Sequence, residues 1–228
     1  MNRARPGMKV ILFGATGMVG QGVLRECLLD PNVESVLAVG RSPTGQRHAK
    51  LQEILHDNFM DFSAIESRLK GYDACFFCLG VSSVGMDAEL YRHLTYDITM
   101  AAAKTLVALN PGMVFTYVTG RSTDSTEQGQ VRWARVKGKT ENDLLKLPFK
   151  AAYMFRPAGI QPLHGIRSRT AWVQAIYVAA APVLSLLNRV APKYMTTTEQ
   201  VGRAMIRVAS LTVSQKKALR LPGATRTA

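Results

Sequence analysis

Gly14-Ala15-Thr16-Gly17-Met18-Val19-Gly20 decides the fold of this chain. Before it runs Met8-Lys9-Val10-Ile11-Leu12-Phe13, short, apolar and β-branched; after it, Val19 to Leu29 carries apolar residues at helical spacing. The glycines therefore sit where a buried strand turns into a helix. Glycine there permits positive φ and lets backbone N–H groups approach a pyrophosphate held against the positive end of a helix dipole. The stretch reads as a dinucleotide-phosphate cradle. A tight strand-to-helix turn with nothing bound is the plainer alternative.

The rest of the chain repeats this rhythm. Strands are expected at Val33–Val39, Leu51–Leu55, Ala74–Leu79, Met113–Val118 and Lys150–Phe155. Between them come a short helix from Ser63 to Leu69 capped by Ser63, a long helical segment from Asp87 to Leu109, and a helix from Val131 to Leu147 stopped by Pro148. Asn110-Pro111-Gly112 ends the long segment. Strands alternating with helices predict an α/β fold, a doubly wound parallel sheet of Rossmann type with helices on both faces. Residues 1–228 are read as one dinucleotide-binding domain, with 161–228 a small helical, substrate-side extension.

Composition narrows the function classes. Hydrophobic residues at 47% and charged residues at 20% fit a globular protein. The basic start Met1-Asn2-Arg3-Ala4-Arg5-Pro6-Gly7 is followed by an apolar run that stops at Gly14, too short for a secretory leader, so a cytoplasmic location is expected. The 3 cysteines, an odd number, argue against a disulfide framework. Cys75 and Cys78 lie three apart in an apolar strand and so face opposite sides of the sheet, unlike a redox pair at a helix start. His48, His56, His93 and His164 are scattered, and no metal site is expected. The net charge of +13 is dispersed, with no aromatic-interleaved basic motif, which weighs against nucleic acid as partner. Ala171 to Leu187 contains no charged residue but includes Pro182, Gln174 and Ser185; no membrane span is expected from it, leaving a buried helix, a homo-oligomer contact or a peripheral membrane face open.

In this fold the residue ending the second strand reads the adenosine ribose: a carboxylate serves the 2′-OH of NAD, an arginine the 2′-phosphate of NADP. Here that position is Gly40-Arg41-Ser42, with no acid nearby in sequence. Arg41 supplies a planar charged fork and Ser42 a hydroxyl, so NADP is expected over NAD. Arg41 as an ordinary loop charge is the alternative.

With these features the chain resembles the short-chain dehydrogenase/reductase superfamily. The likeness is to its atypical single-domain members of the NmrA-like, Tat-interacting-protein-like and NAD-dependent epimerase-dehydratase-like kinds. The likeness is strongest over residues 8–160. It rests on the glycine turn, Gly40-Arg41-Ser42, Asp61-Phe62, Cys78-Leu79-Gly80, Trp133-Ala134-Arg135-Val136-Lys137 and Arg156-Pro157-Ala158-Gly159-Ile160. The resemblance implies that Gly14, Thr16, Gly17, Met18, Val19 and Gly20 hold the pyrophosphate, and that Asp61 and Phe62 lie at the adenine. It places Cys78, Leu79 and Gly80 beside the ribose, and Pro157, Gly159 and Ile160 near the nicotinamide.

The superfamily's reaction centre is Tyr-x-x-x-Lys on a helix, with a serine or threonine after the fifth strand. Spacing of four puts both side chains on one helix face, where the ammonium holds the ribose and lowers the phenol pKa. Lys137 is in place, but the tyrosine position holds Trp133. An indole N–H only donates and cannot relay a proton. Thr119 and Ser122 are candidates for the carbonyl-orienting hydroxyl, or else turn residues, and Tyr96 is a candidate substitute acid. Two readings follow: an oxidoreductase transferring hydride to a small carbonyl or related substrate, or an NADP-binding sensor without turnover.

Overall fold

The computed structural model describes residues 7–166 and 195–219. Six strands, β1 (Met8–Phe13), β2 (Val33–Gly40), β3 (Leu51–Leu55), β4 (Ala74–Phe77), β5 (Val114–Val118) and β6 (Ala151–Phe155), form one sheet in the order β3-β2-β1-β4-β5-β6. Every neighbouring pair is parallel. β7 (Gly159–Gln161) pairs in parallel with β8 (Met195–Thr197) outside this sheet. Among the described residues the α-helices are α1 (Met18–Leu29), α2 (Ala88–Arg92), α3 (Ile98–Leu109), α4 (Arg132–Lys146) and α5 (Thr198–Leu219). This is the expected α/β class, a Rossmann-type sheet with helices on both faces.

Alternation along the strands builds two cores. Val10, Leu12, Val36, Ala38 and Phe76 point to the face covered by Val23, Leu24 and Cys27 of α1 and Val201 and Met205 of α5. Ile11, Phe13, Leu37, Val39, Phe77 and Phe115 point to the other, covered by Met100, Ala103 and Leu106 of α3. Strands buried on both faces are the continuous apolar runs that parallel sheets require. Cys75 joins the second core while Cys78 packs against the first, as three-residue spacing in a strand demands. Burial pushes the Cys78 thiol up to about 12 and raises Cys75 well above its ordinary range, so neither is a ready thiolate.

Local side-chain chemistry sets the start of α2. Asp87 caps α2, its carboxylate accepting from Glu89 N at 2.8 Å and Leu90 N at 3.1 Å. Between α2 and α3 the helix widens into a π turn, His93–Asp97. Residues Ser63–Leu69 form a 3₁₀ helix, and Ser63 does not cap it; Asp61 precedes it and accepts from Ser63 N at 2.9 Å. α5 docks on α1 partly through Glu26, which is 5% exposed and accepts from Arg203 Nε at 2.9 Å. Among the described residues no helix is long and apolar enough to cross a membrane. The stretch Ala171 to Leu187 lies outside the described residues.

Candidate functional site

Strand order reverses between β1 and β4, and there the chain leaves both strands on the same sheet edge. Open parallel sheets place ligands in the crevice at this switch point. Gly14, at φ +76°, leaves β1 so close to the exit of β4 that a Cβ on it would lie 2.7 Å from the carbonyl carbon of Cys78. Gly20 lets α1 close over the turn, since a Cβ there would sit 1.9 Å from Gly14 O. Gly17 differs: its hypothetical Cβ meets only Gly14 O, at 3.3 Å, and Gly17 lines the cleft. Thus Gly14 and Gly20 serve packing, and Gly17 keeps the approach to α1 open. Gly17 is the N-cap of α1, among the described residues no side chain caps that helix start, and no acid stands in its first turn. A helix start left in this state favours an anion.

The cleft above this turn encloses about 830 Å³, within the range of small-molecule and cofactor sites. It is lined by Gly14, Thr16, Gly17, Met18, Val19, Arg41, Ser42, Cys78, Leu79, Gly80, Thr119, Lys137 and Ile160, together with Val81, Ser82 and Val118. Segments far apart in sequence converge because each follows the carboxyl end of a strand of the sheet, or lies on α4 or β7.

Past β2 the cleft continues into a recess bounded by Arg41, Ser42, Thr44, Glu53, Ile54 and Phe59. Arg41 is exposed and has no ion pair among the described residues. Two placements differ from the expected ones. Phe62 is 3% exposed, edge-on to Phe13 and Phe59 inside the second core, so it does not line the recess; Phe59 does. Asp61 turns outward, its carboxylate occupied by Ser63 and its carbonyl bonded to His56. Glu53 was not singled out in the sequence. It sits on β3 opposite Ala38 of β2 and brings a carboxylate to a recess that the local sequence after β2 leaves without one.

At the other end, Lys137 Nζ donates to Thr119 O at 3.3 Å. Burial lowers its pKa, an effect that nearby Glu141 opposes. Glu141 lies one turn further along α4 and is 2% exposed. It accepts from Thr119 Oγ1 at 2.5 Å and from Arg156 Nε at 3.1 and 3.0 Å, and Arg156 Nη2 reaches it as well. Arg156 also donates to Ser125 Oγ at 2.5 Å. This buried carboxylate ties the ends of β5 and β6 to α4. Sequence reasoning passed over it because a glutamate on an amphipathic helix reads as surface; its i+4 spacing from Lys137 was the available signal.

The remaining catalytic candidates fall outside the cleft lining. Trp133 is half-buried one turn before Lys137, and Ser122 is exposed on the loop after β5. Pro157 and Gly159 precede Ile160 in the chain, with Pro157 O accepting from Arg121 N at 2.9 Å. Tyr96 is not poised as a substitute acid. Its hydroxyl donates to Asp143 Oδ2 at 2.7 Å on the outer side of α4, beneath Lys139, and burial together with that carboxylate raises its pKa.

Sheet order and the glycine turn at the switch point together define a Rossmann-type fold. No known family profile matches the chain. Among curated proteins it is 30% identical over 151 residues to "Protein FMP52-2, mitochondrial" of Scheffersomyces stipitis. That match covers 64% of this chain and 63% of the relative, less than two thirds of the relative's length. It is 24% identical over 214 residues to "Protein FMP52, mitochondrial" of Debaryomyces hansenii, covering 91% and 90% of the two chains. Among solved structures it superimposes on a short chain dehydrogenase family protein from Francisella tularensis with a TM-score of 0.65 at 13% identity, over 92% of this chain and 93% of that one. It also superimposes on the enzyme WbmF of Bordetella bronchiseptica, solved in complex with NAD+, with a TM-score of 0.64 at 14% identity, over 90% and 71%. The chain thus has the Rossmann-type fold of the short-chain dehydrogenase/reductase structures.

The relatives correct one expectation. Both carry "mitochondrial" in their names, which overturns the cytoplasmic placement. That placement rested on the lack of a secretory leader, and a test for secretion is silent on import into an organelle.

Proposed function

We propose that the chain is a single NADP-binding domain of the atypical short-chain dehydrogenase/reductase type, exchanging hydride with a small carbonyl or related substrate. The observation that carries this reading is the convergence of Gly17, Arg41 and Lys137 on one cleft. The residues present fit a dinucleotide. Gly17 leaves the uncapped start of α1 open to a pyrophosphate, Arg41 and Ser42 offer charge and a hydroxyl to a 2′-phosphate, and the Lys137 ammonium reaches the ribose side. When bound, the dinucleotide supplies the hydride. Lys137, braced by Thr119 O, orients the ribose, and Val118 and Ile160 offer apolar walls that limit water around the nicotinamide.

Proton supply is where a second reading arises. Trp133 stands in the tyrosine position, Tyr96 is bound to Asp143, and the Thr119 proton is given to Glu141. These favour an NADP-holding sensor that signals through a partner. Purified protein assayed for NADPH consumption over aldehydes, ketones and quinones separates the two. Turnover supports the oxidoreductase; saturable NADP binding without turnover of any of them supports the sensor. Failure to bind either dinucleotide contradicts both.

A further inference from the structure

The loop between β2 and β3 carries Arg41 and Ser42; its C-terminal end is fixed by Leu51 N donating to His48 O at 3.0 Å and Val36 N to Lys50 O at 2.8 Å, while among the described residues one side chain of β3, Glu53, reaches its N-terminal half. Thr44 N–H donates to Glu53 Oε1 at 2.7 Å, while Thr44 Oγ1 accepts from Gln46 N at 3.2 Å and Gly45 turns the chain at φ +74°. Arg41, Ser42, Thr44 and Glu53 line the same recess. β3 is the outermost strand of the sheet on that side, so nothing beyond it in the sheet braces this loop.

We propose that Glu53 is a specificity-determining positioning residue: by fixing the Thr44 amide it presets the loop so that Arg41 and Ser42 face the adenosine end, which favours a ligand bearing a 2′-phosphate. The inference rests on the NADP reading above. A hydrogen bond to a carboxylate is short and strong for its kind. Without it, the loop has to be ordered when the ligand binds, and that ordering weakens affinity for the ligand that uses the loop. NAD and NADP differ only at the 2′ position, so the ratio of their affinities isolates this loop. A role confined to the stability of β3 would weaken both dinucleotides alike.

The test is titration of NADP and NAD into wild type, Glu53→Ala, Glu53→Gln, Thr44→Pro and Thr44→Val, each checked for folding by circular dichroism. Glu53→Ala is expected to weaken NADP by about tenfold or more, the fold-change of a hydrogen bond to a charged group, and NAD by less than about threefold. Glu53→Gln keeps an acceptor for the Thr44 amide and retains the wild-type ratio. Thr44→Pro removes the amide donor while leaving Glu53 in place, and is read beside Thr44→Val, which removes only the hydroxyl that accepts from Gln46 N; a loss of NADP preference in Thr44→Pro beyond that in Thr44→Val reproduces the effect even where Glu53→Ala does not fold. Equal loss of both dinucleotides in the folded variants, or no loss, overturns the proposal. So does a gain in NADP affinity with Glu53→Gln, which would mean that the carboxylate acts against the phosphate. Equal affinity of wild type for the two dinucleotides instead removes the NADP reading itself and the proposal with it, an outcome distinct from a wild-type preference that survives the substitutions.

Discussion

The Thr119 hydroxyl donates to Glu141 Oε1 at 2.5 Å, within a pocket where both residues are buried and Arg156 closes the other side of the carboxylate. A hydroxyl has one proton. While it serves Glu141, Thr119 can only accept from anything in the cleft, which removes the second donor that carbonyl chemistry would use. Removing Glu141 takes the acceptor from the buried Thr119 hydroxyl and the carboxylate from Arg156, whose exposed guanidinium keeps Ser125 Oγ and solvent. Glu141→Ala is therefore expected to lower stability by about 1–2 kcal/mol in urea unfolding, the cost of the lost charge-assisted hydrogen bonds, screened on the exposed Arg156 side, whereas Thr119→Val costs about 1 kcal/mol.

The glycines of the turn are expected to separate by role. Gly20→Ala forces a methyl against Gly14 O and should destabilise the fold by about 3 kcal/mol or more. Gly17→Val places its Cβ within contact range of one atom, Gly14 O at 3.3 Å, on an extended backbone at φ −77° and ψ 164° that valine adopts readily. It should keep its circular dichroism spectrum and lose dinucleotide binding. Loss of fold in Gly17→Val with binding retained in a folded Gly20→Ala would reverse the assignment.

Lys137 gives a pH dependence. Burial lowers its pKa from 10.5, so the charged form carries a penalty in the folded state. That penalty is full below the lowered pKa and is relieved as pH rises toward 10.5, so Lys137's contribution to stability grows across this window. Attraction for an anionic dinucleotide runs the other way, since the ammonium is lost through the same range. Affinity should fall with rising pH before the ordinary lysine range is reached, and Lys137→Met should bind more weakly at neutral pH and show a flatter profile.

The sheet was legible because its strands are buried on both faces and their apolar runs stand between turn signals; Ala151–Phe155 lies within one residue of its expected bounds. The glycine turn was legible because close packing leaves no room for a side chain at Gly14 or Gly20. What sequence could not supply were the partners across the fold. Glu53 reaches the loop after β2 because β3 pairs alongside in register, and Glu141 is buried because Arg156 arrives at the end of β6. Phe62 fills a core instead of the cleft because Phe13, Phe59 and His56 surround it, an aromatic cluster that no local pattern reveals.

Trp133 lies one helical turn before Lys137, and a phenol there would restore a titratable group on that face of α4. Trp133→Tyr should leave NADP affinity within about threefold while raising turnover of a small carbonyl, toward the roughly hundredfold or greater effect of a general acid. Brisk turnover by wild type that falls in the variant would place the proton donor elsewhere.

If this cleft binds a dinucleotide, Arg41 stands where its 2′-phosphate would be read. Isothermal titration of NADP and NAD into wild type and Arg41→Ala tests this directly. Wild type is expected to bind both saturably, NADP about tenfold or more tighter, and Arg41→Ala to lose that advantage while NAD affinity holds. Equal affinities in wild type, or an NADP preference that survives in Arg41→Ala, would contradict it.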